Sequence, residues 1–232
     1  VNDDLIDGSQ TTTITLSVVD AISDDDFDSL ADKTVSVSTT DNDTASFTVA
    51  QSSGSTAVSE SGSTDTFTVV LGAQPASNVV ISVTSGDTGE ATVSPATLTF
   101  TSGNWNSAQT VTVTGINDDL VDGTQTSTTT MSVVDASSDN NFDSLADQTV
   151  SVTTADTDVA GFTKIESGGS TTVAESGTTD TFTVVLDAQP ASDVVISVTS
   201  GDTGEATVSP ATLTFTSGNW NSAQTVTVTG VN

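Results

Sequence analysis

The sequence predicts an all-β chain of tandem Greek-key β-sandwiches, and three observations carry that expectation. Valine alternates with serine and threonine along most of the chain, as in "TVTVT" and "VVISVTS". A period of two puts the apolar side chains on one face of each strand. Shifted by 115 residues, the sequence aligns with itself without a gap, and residues 79–115 recur unchanged as 194–230. Each period also breaks into short alternating runs bounded by Gly, Asp, Asn, Ser and Pro, the punctuation of strands joined by turns.

The alternation lapses at "TDND" before "ASFTV" and again at "TADTD" before "AGFTK". Residues 44–158 therefore read as one complete repeat, long enough to bury its own core. Residues 1–43 read as strands F and G of a preceding repeat, and residues 159–232 as strands A to E of a following one. Within 44–158, strand A covers 46–59, with a break near Ser53 and Gly54. Strand B, "DTFTVVL" (65–71), sets Phe67, Val69 and Leu71 on one face. Strand C is "VVISVTS" (79–85), and strand D is "ATLTFT" (96–101), with Leu98 and Phe100 inward. Strands E (109–115), F (124–134) and G (148–154) complete a set of seven. Seven short strands separated by turn signals imply an immunoglobulin-like sandwich.

Composition narrows the function. The chain has no cysteine and no histidine, which removes disulfides, thiolate chemistry and the commonest transition-metal ligands. Two Lys plus Arg stand against 31 Asp plus Glu, a net charge of −29, and phosphate contacts to nucleic acid need cations. No apolar run approaches the roughly 20 residues of a membrane helix. The chain opens on Val1 with no signal-peptide pattern, so it reads as a piece of a longer protein. Disorder is the competing reading of an acidic, aromatic-poor chain, and the sustained alternation argues against it.

Topology then gathers the acids. Successive strands of such a sandwich reverse direction, so the A–B, C–D and E–F loops and the exit from strand G meet at one pole. Those places hold Glu60, Glu90, Asp118, Asp119, Asp122, Asp156 and Asp158. With no basic residue near, a bound cation is the natural neutraliser, and an all-oxygen donor set suits Ca²⁺ better than the smaller, strictly octahedral Mg²⁺. A solvated acidic surface explains the total charge but not this placement. The periods differ at many positions, yet each of these acids has an acidic counterpart 115 residues away: Asp3, Asp4, Asp7, Asp41, Asp43, Glu175 and Glu205.

The succession "VSESG", a C–D loop acid, "LTF", "TVTV", "NDDLVDG" and a closing "DTD" resembles the Calx-β domain over the full repeat. That resemblance implies calcium ligands at Glu60, Glu90, Asp118, Asp119, Asp122, Asp156 and Asp158. The chain departs from the family in alternating its closing aspartates and in placing Glu90 where the family has Asp. Near-identical tandem copies rich in Asp, Thr, Val and Gly also resemble the extender region of giant bacterial RTX-type adhesins. This second resemblance implies a calcium-stiffened stalk on the surface of a Gram-negative bacterium. A calcium-dependent carbohydrate- or protein-binding module is the alternative reading.

Other features are weaker. The F–G loop carries Asp135, Asp139, Asp143 and Asp147, a further candidate calcium site, and Phe142 and Leu145 at the spacing of one helical turn, which predicts a short helix plugging the sandwich. Trp105 and Trp220 in "SGNWNSAQ" could stack on a sugar, but a Trp covering the core edge is the plainer expectation. The "DDLVDG" stretch lacks the bidentate Glu of an EF-hand. Carboxylate pairs could serve a glycosidase, but duplication of one set in every repeat favours structure over catalysis. The half repeats at 1–43 and 159–232 leave strand edges open, and the sequence predicts that one copy completes the next head to tail, alongside contacts between adjacent repeats of the same chain.

Overall fold

The computed structural model describes residues 3–232. The chain runs through β1 (Gln10–Leu16), β2 (Lys33–Thr39), β3 (Phe47–Gln51), β4 (Thr56–Ser59), β5 (Thr64–Leu71) and β6 (Val79–Ser85). It continues through β7 (Ala91–Ser94), β8 (Thr97–Phe100), β9 (Gln109–Gly115), β10 (Gln125–Val133) and β11 (Gln148–Ala155). The last strands are β12 (Phe162–Glu166), β13 (Thr179–Leu186), β14 (Val194–Ser197), β15 (Ala206–Ser209), β16 (Thr212–Phe215) and β17 (Gln224–Gly230). The protein is all-β, and its only helical turns are of the 3₁₀ type among the described residues.

A central sandwich faces the five-stranded sheet β4-β11-β10-β6-β8 with the four-stranded sheet β3-β5-β9-β7. All its ladders are antiparallel except β4 beside β11. Expected strand A spans both sheets. Its first part, β3, pairs with β5, and its second, β4, pairs with β11. Between them the backbone enters the left-handed region at Ser53 (φ 53°) and Gly54 (φ 82°), the break the sequence signalled. Expected strand D is β8, which joins β6, and an unexpected short strand before it, β7, joins β9 in the other sheet. Pro95 lies between them and has no N–H to give a ladder. The strand Ala91–Ser94 was hidden in the sequence because only four residues separate Glu90 from Pro95.

Alternation predicts the core correctly. Phe67, Val69 and Leu71 of β5 and Leu98 and Phe100 of β8 are buried, opposite Val79, Ile81 and Val83 of β6. Burying each such side chain contributes roughly 1.5–3 kcal/mol. The F–G loop departs from expectation. A 3₁₀ turn at Asp135–Ser137 is followed by a turn in which Phe142 N–H donates to Asp139 O (2.8 Å), so no helix forms. The Asp139 side chain is the reason: it accepts from the amides of Ala76 (2.7 Å), Ser77 (3.0 Å) and Asn141 (3.0 Å), pinning the loop to the β5–β6 connection. Phe142 still plugs the core, fully buried.

Outside the central sandwich, β1 and β2 form a two-stranded ribbon. After it, β12-β13-β17-β15 and the pair β14-β16 form a second sandwich that contains only the strands A to E of the repeat. The connections between these units are hydrogen-bonded. Gln74 N–H donates to Asp4 O (2.7 Å) and Ile6 N–H to Gln74 O (3.2 Å); one period on, Gln189 N–H donates to Asp119 O (2.7 Å) and Val121 N–H to Gln189 O (3.2 Å).

Candidate metal centre

Four chain segments meet at the pole where β4, β9 and β11 end and β10 begins. The A–B turn delivers Glu60, whose N–H donates to Ala155 O (3.1 Å) as β4 leaves its partner β11. This strand passes so close to β9 that a Cβ on Gly115 would lie 2.1 Å from Ser59 O, so only glycine fits there. The C–D turn delivers Glu90, whose carbonyl accepts from Ile116 N–H (2.9 Å). The E–F loop supplies Asp118, Asp119 and Asp122, and the exit from β11 supplies Asp156 and Asp158.

These acids divide into two kinds. Asp156 organises backbone: one carboxylate oxygen accepts from Asp122 N–H (3.1 Å) and Gly123 N–H (2.7 Å), the other from Asp158 N–H (2.6 Å). Those amides, led by that of Asp158 and then Gly123, hold its carboxyl below the usual range. Asp156 therefore ties the E–F loop to the outgoing chain. Glu60, Asp118 and Asp158 instead converge, each offering an oxygen within 4.8 Å of the others. Glu60 is 2% exposed, and its second oxygen accepts from Thr157 N–H (3.0 Å). Burial first, then the charges of Asp156, Asp118 and Asp158, push its carboxyl up against the opposing pull of that amide. Burial likewise leads in raising Asp158, followed by Asp156, Asp119 and Asp118.

Glu90 is buried beside this group. Desolvation, then Asp122, Asp118, Glu60 and Asp87, raises its carboxyl. One oxygen each of Glu90, Asp122 and Asp158 is buried without a hydrogen-bond partner among the described residues. Buried oxygens of that kind normally have a partner. An all-oxygen donor set with orphaned carboxylate oxygens and no cation nearby fits a hard divalent ion such as Ca²⁺. Asp119 borders the cluster: its charge acts on Asp158, but its side chain is exposed, and its carbonyl accepts the Gln189 N–H of the next sandwich.

The counterparts are each half of this arrangement. Asp41 repeats the role of Asp156, accepting from Asp7 (3.0 Å), Gly8 (2.8 Å) and Asp43 (2.8 Å) amides, and its carboxyl is lowered by the amides of Asp43 and Gly8. Asp43 is raised by desolvation and then by Asp41, Asp4, Asp3 and Asp7. Asp3 and Asp7 line a cavity of about 220 Å³ with Asp41 and Asp43. Glu175 and Glu205 are both exposed and lie in the other half repeat.

In the F–G loop, one oxygen of Asp143 is buried without a hydrogen-bond partner among the described residues. Asp139 is buried and anchors the F–G loop through three amides, a role that a hydrophobicity pattern does not reveal. Asp65 was not singled out by sequence; its carboxylate accepts from Ser52 Oγ and from the amides of Ala57 (2.9 Å) and Thr66 (2.7 Å), fixing the crossover from β3 to β4. Trp105 packs against the central core and Trp220 against the core of the following sandwich, as expected of residues that cover a core edge.

No protein-family model matches the chain, and no curated protein matches it. Solved structures with related arrangements include CBD12 from CALX1.2, at 13% identity and TM-score 0.32, over 79% of this chain and 75% of that one. Domains 4 and 5 of the S-layer protein SbsC match at 23% identity and TM-score 0.36, over 63% of this chain and 58% of theirs. SSP-19, an MSP-domain protein like family member in Caenorhabditis elegans, matches at 16% identity and TM-score 0.30, over 44% of this chain and 94% of its own. Among the described residues no helix is long and apolar enough to cross a membrane.

Proposed function

We propose that this chain is a calcium-binding structural repeat, an extender segment of a bacterial surface adhesin in which Ca²⁺ at one pole of each repeat stiffens the joint to the next. The observation that carries the reading is the convergence of Glu60, Asp118 and Asp158 within 4.8 Å of one another, without a basic partner among the described residues. Orphaned oxygens on Glu90, Asp122 and Asp158 support it. Glu60, Asp118 and Asp158 would hold the ion, with Asp122 and Glu90 adjacent. The bound ion supplies charge neutralisation.

The chain's own residues do the rest. Glu60 accepts from Thr157 N–H and Asp156 from the amides of Asp122, Gly123 and Asp158, so the A–B turn, the E–F loop and the outgoing chain form one hydrogen-bonded body. On its far side the E–F loop is bonded to the next sandwich through Asp119 O and Val121 N–H. Asp118 lies immediately before that contact, and its carboxylate accepts from Leu120 N–H (2.8 Å). An ion that fixes Asp118 therefore fixes the docking loop too. Without the ion, mutual repulsion frees the loop and the joint swings.

Small-angle X-ray scattering on a chain of several repeats tests this. Strands of this length imply about 40 Å per repeat along a rod. The maximum dimension should be longer in millimolar Ca²⁺ than after chelation. Superimposable profiles in the two conditions would rule out the stiffening role.

A further inference from the structure

The structure holds one sequence in two environments. "VVISVTS" occurs at 79–85 and again at 194–200, yet it forms a seven-residue strand in the first place and a four-residue strand in the second. Val79, Ile81 and Val83 are buried, while Val195 is 62% exposed and Val194 and Ile196 are only partly covered. The difference is the partner. β6 pairs with β10 on one side and β8 on the other, whereas β14 has only β16. Likewise Thr56–Ser59 is a strand because β11 lies beside it, and residues 171–174, its counterparts, are not.

Segments equivalent to those partners lie at the other end of the chain. β1 and β2 correspond by the 115-residue shift to β10 and β11, and they present Ile14, Leu16 and Val35 at 53%, 56% and 51% exposure. Their counterparts Thr129, Met131 and Val150 are buried. Phe27 and Leu30 are each 56% exposed, whereas the matching Phe142 is fully buried and Leu145 packs on the core. A cavity of about 380 Å³ between Val121, Phe162, Leu186 and Val194 lies where that plug would go. The equivalent residues Ile6, Phe47, Leu71 and Val79 are buried in the core that Phe142 fills.

We infer that the β1–β2 ribbon of one copy inserts into the open sandwich of residues 159–232 of a second copy, completing it strand for strand. The central sandwich sets the register. Met131 opposite Val83 and Ser132 opposite Ser82 translate into Leu16 opposite Val198 and Ser17 opposite Ser197. The parallel pairing of Val152 with Thr56 translates into Val37 beside Thr171. Phe27 and Leu30 of the incoming copy fill the cavity beneath Val121 and Phe162. In a longer array, successive segments of a single chain make the same pairing. Donor and acceptor surfaces lie at opposite poles of the central sandwich: the first segment docks at Gln74 after β5, the last at Leu120 after β9. Each contact therefore leaves another open, and the association grows head to tail without closing. Strand pairing carries the contact independently of any cation.

The native chain has no cysteine, so engineered ones report cleanly. Chains carrying S17C and chains carrying S197C are mixed under mild oxidation, in EDTA and in Ca²⁺, while sedimentation velocity follows the unmodified chain from micromolar to several hundred micromolar. The expected result is mixed S17C–S197C disulfides well above either homodimer, and a mass that climbs past the dimer with concentration. Leu16→Asp should weaken association by about a hundredfold, since it removes a buried apolar chain and adds an unpaired charge. Leu16 is exposed in the single copy, so the main melting transition should not move. A monomer at every concentration, a mass that stops at the dimer, or homodimer disulfides as abundant as the mixed ones would overturn the inference.

Discussion

Glu60→Gln separates repulsion from binding at the carboxylate cluster. The Glu60, Asp118 and Asp158 oxygens lie within 4.8 Å of one another. At that distance each pair of charges repels by roughly 1 kcal/mol in bulk water and roughly 3 kcal/mol at an effective dielectric of 20. Three such pairs amount to roughly 3–10 kcal/mol, comparable with the whole stability of a domain. Replacing Glu60 removes two of the three pairs, and the amide oxygen of Gln can still accept from Thr157 N–H. Solvent and salt at the half-buried Asp118 and Asp158 screen part of that repulsion. The gain without metal should therefore be modest, about 1–2 kcal/mol, or about 4–8 °C in melting temperature for a unit of this size.

Calcium reverses the order. One site at a hundredfold excess over its Kd stabilises the wild type by ~2.7 kcal/mol, or about 10 °C. Extracellular modules bind at about 0.1–1 mM, so about 10 mM Ca²⁺ is the lowest useful concentration. Differential scanning calorimetry in EDTA and in Ca²⁺, at matched ionic strength, should show the variant melting above the wild type without calcium and below it with calcium. Mg²⁺ should give a much smaller shift. Equal melting of the wild type in the two buffers, or a variant that keeps the full calcium shift, refutes the reasoning.

Three further outcomes follow. Asp118→Asn together with Asp119→Asn should abolish most of the calcium shift through Asp118, and Asp119→Asn alone should leave it largely intact, because that side chain is exposed; calcium-dependent melting of the two variants checks this. Asp65→Asn should lower stability by about 1–2 kcal/mol at neutral pH, since its carboxylate accepts from Ser52, Ala57 and Thr66. Those bonds, led by that of Ser52, lower its folded pKa, so its contribution is full above the unfolded value of about 3.9 and disappears as pH falls through the lower folded value. Denaturant titrations of wild type and variant should thus differ at pH 5–7 and converge at the acid end. Phe142→Ala should cost about 3–5 kcal/mol by opening a cavity at the plug of the core, read as a drop in the main calorimetric transition of more than about 10 °C.

The sequence by itself determined which side of each strand faces inward. Period-two alternation places Phe67, Val69 and Leu71 together whatever surrounds them, and all three are buried. The 115-residue repeat likewise determined that every acid of the pole has a counterpart, and strand reversal brought Glu60, Asp118 and Asp158 to one end. The sequence could not divide those acids by task. Asp156 spends its oxygens on three amides and Asp119 is turned outward, because backbone turns a few residues away decide where each carboxylate points. It also could not show that strand A changes sheets or that β7 precedes strand D in the opposite sheet, since alternation is the same in either sheet and only the ladder partner differs.

Burial was decided by tertiary structure alone. "VVISVTS" is core at 79–85 and half-exposed at 194–200 although the two sequences are identical, and Glu60 is buried while Glu175 is exposed although their surroundings in sequence are closely similar. Phe142 is fully buried and Phe27 is 56% exposed for the same reason. Local pattern sets the direction of a side chain, but removing it from water needs a second sheet, and that sheet comes from residues distant in sequence.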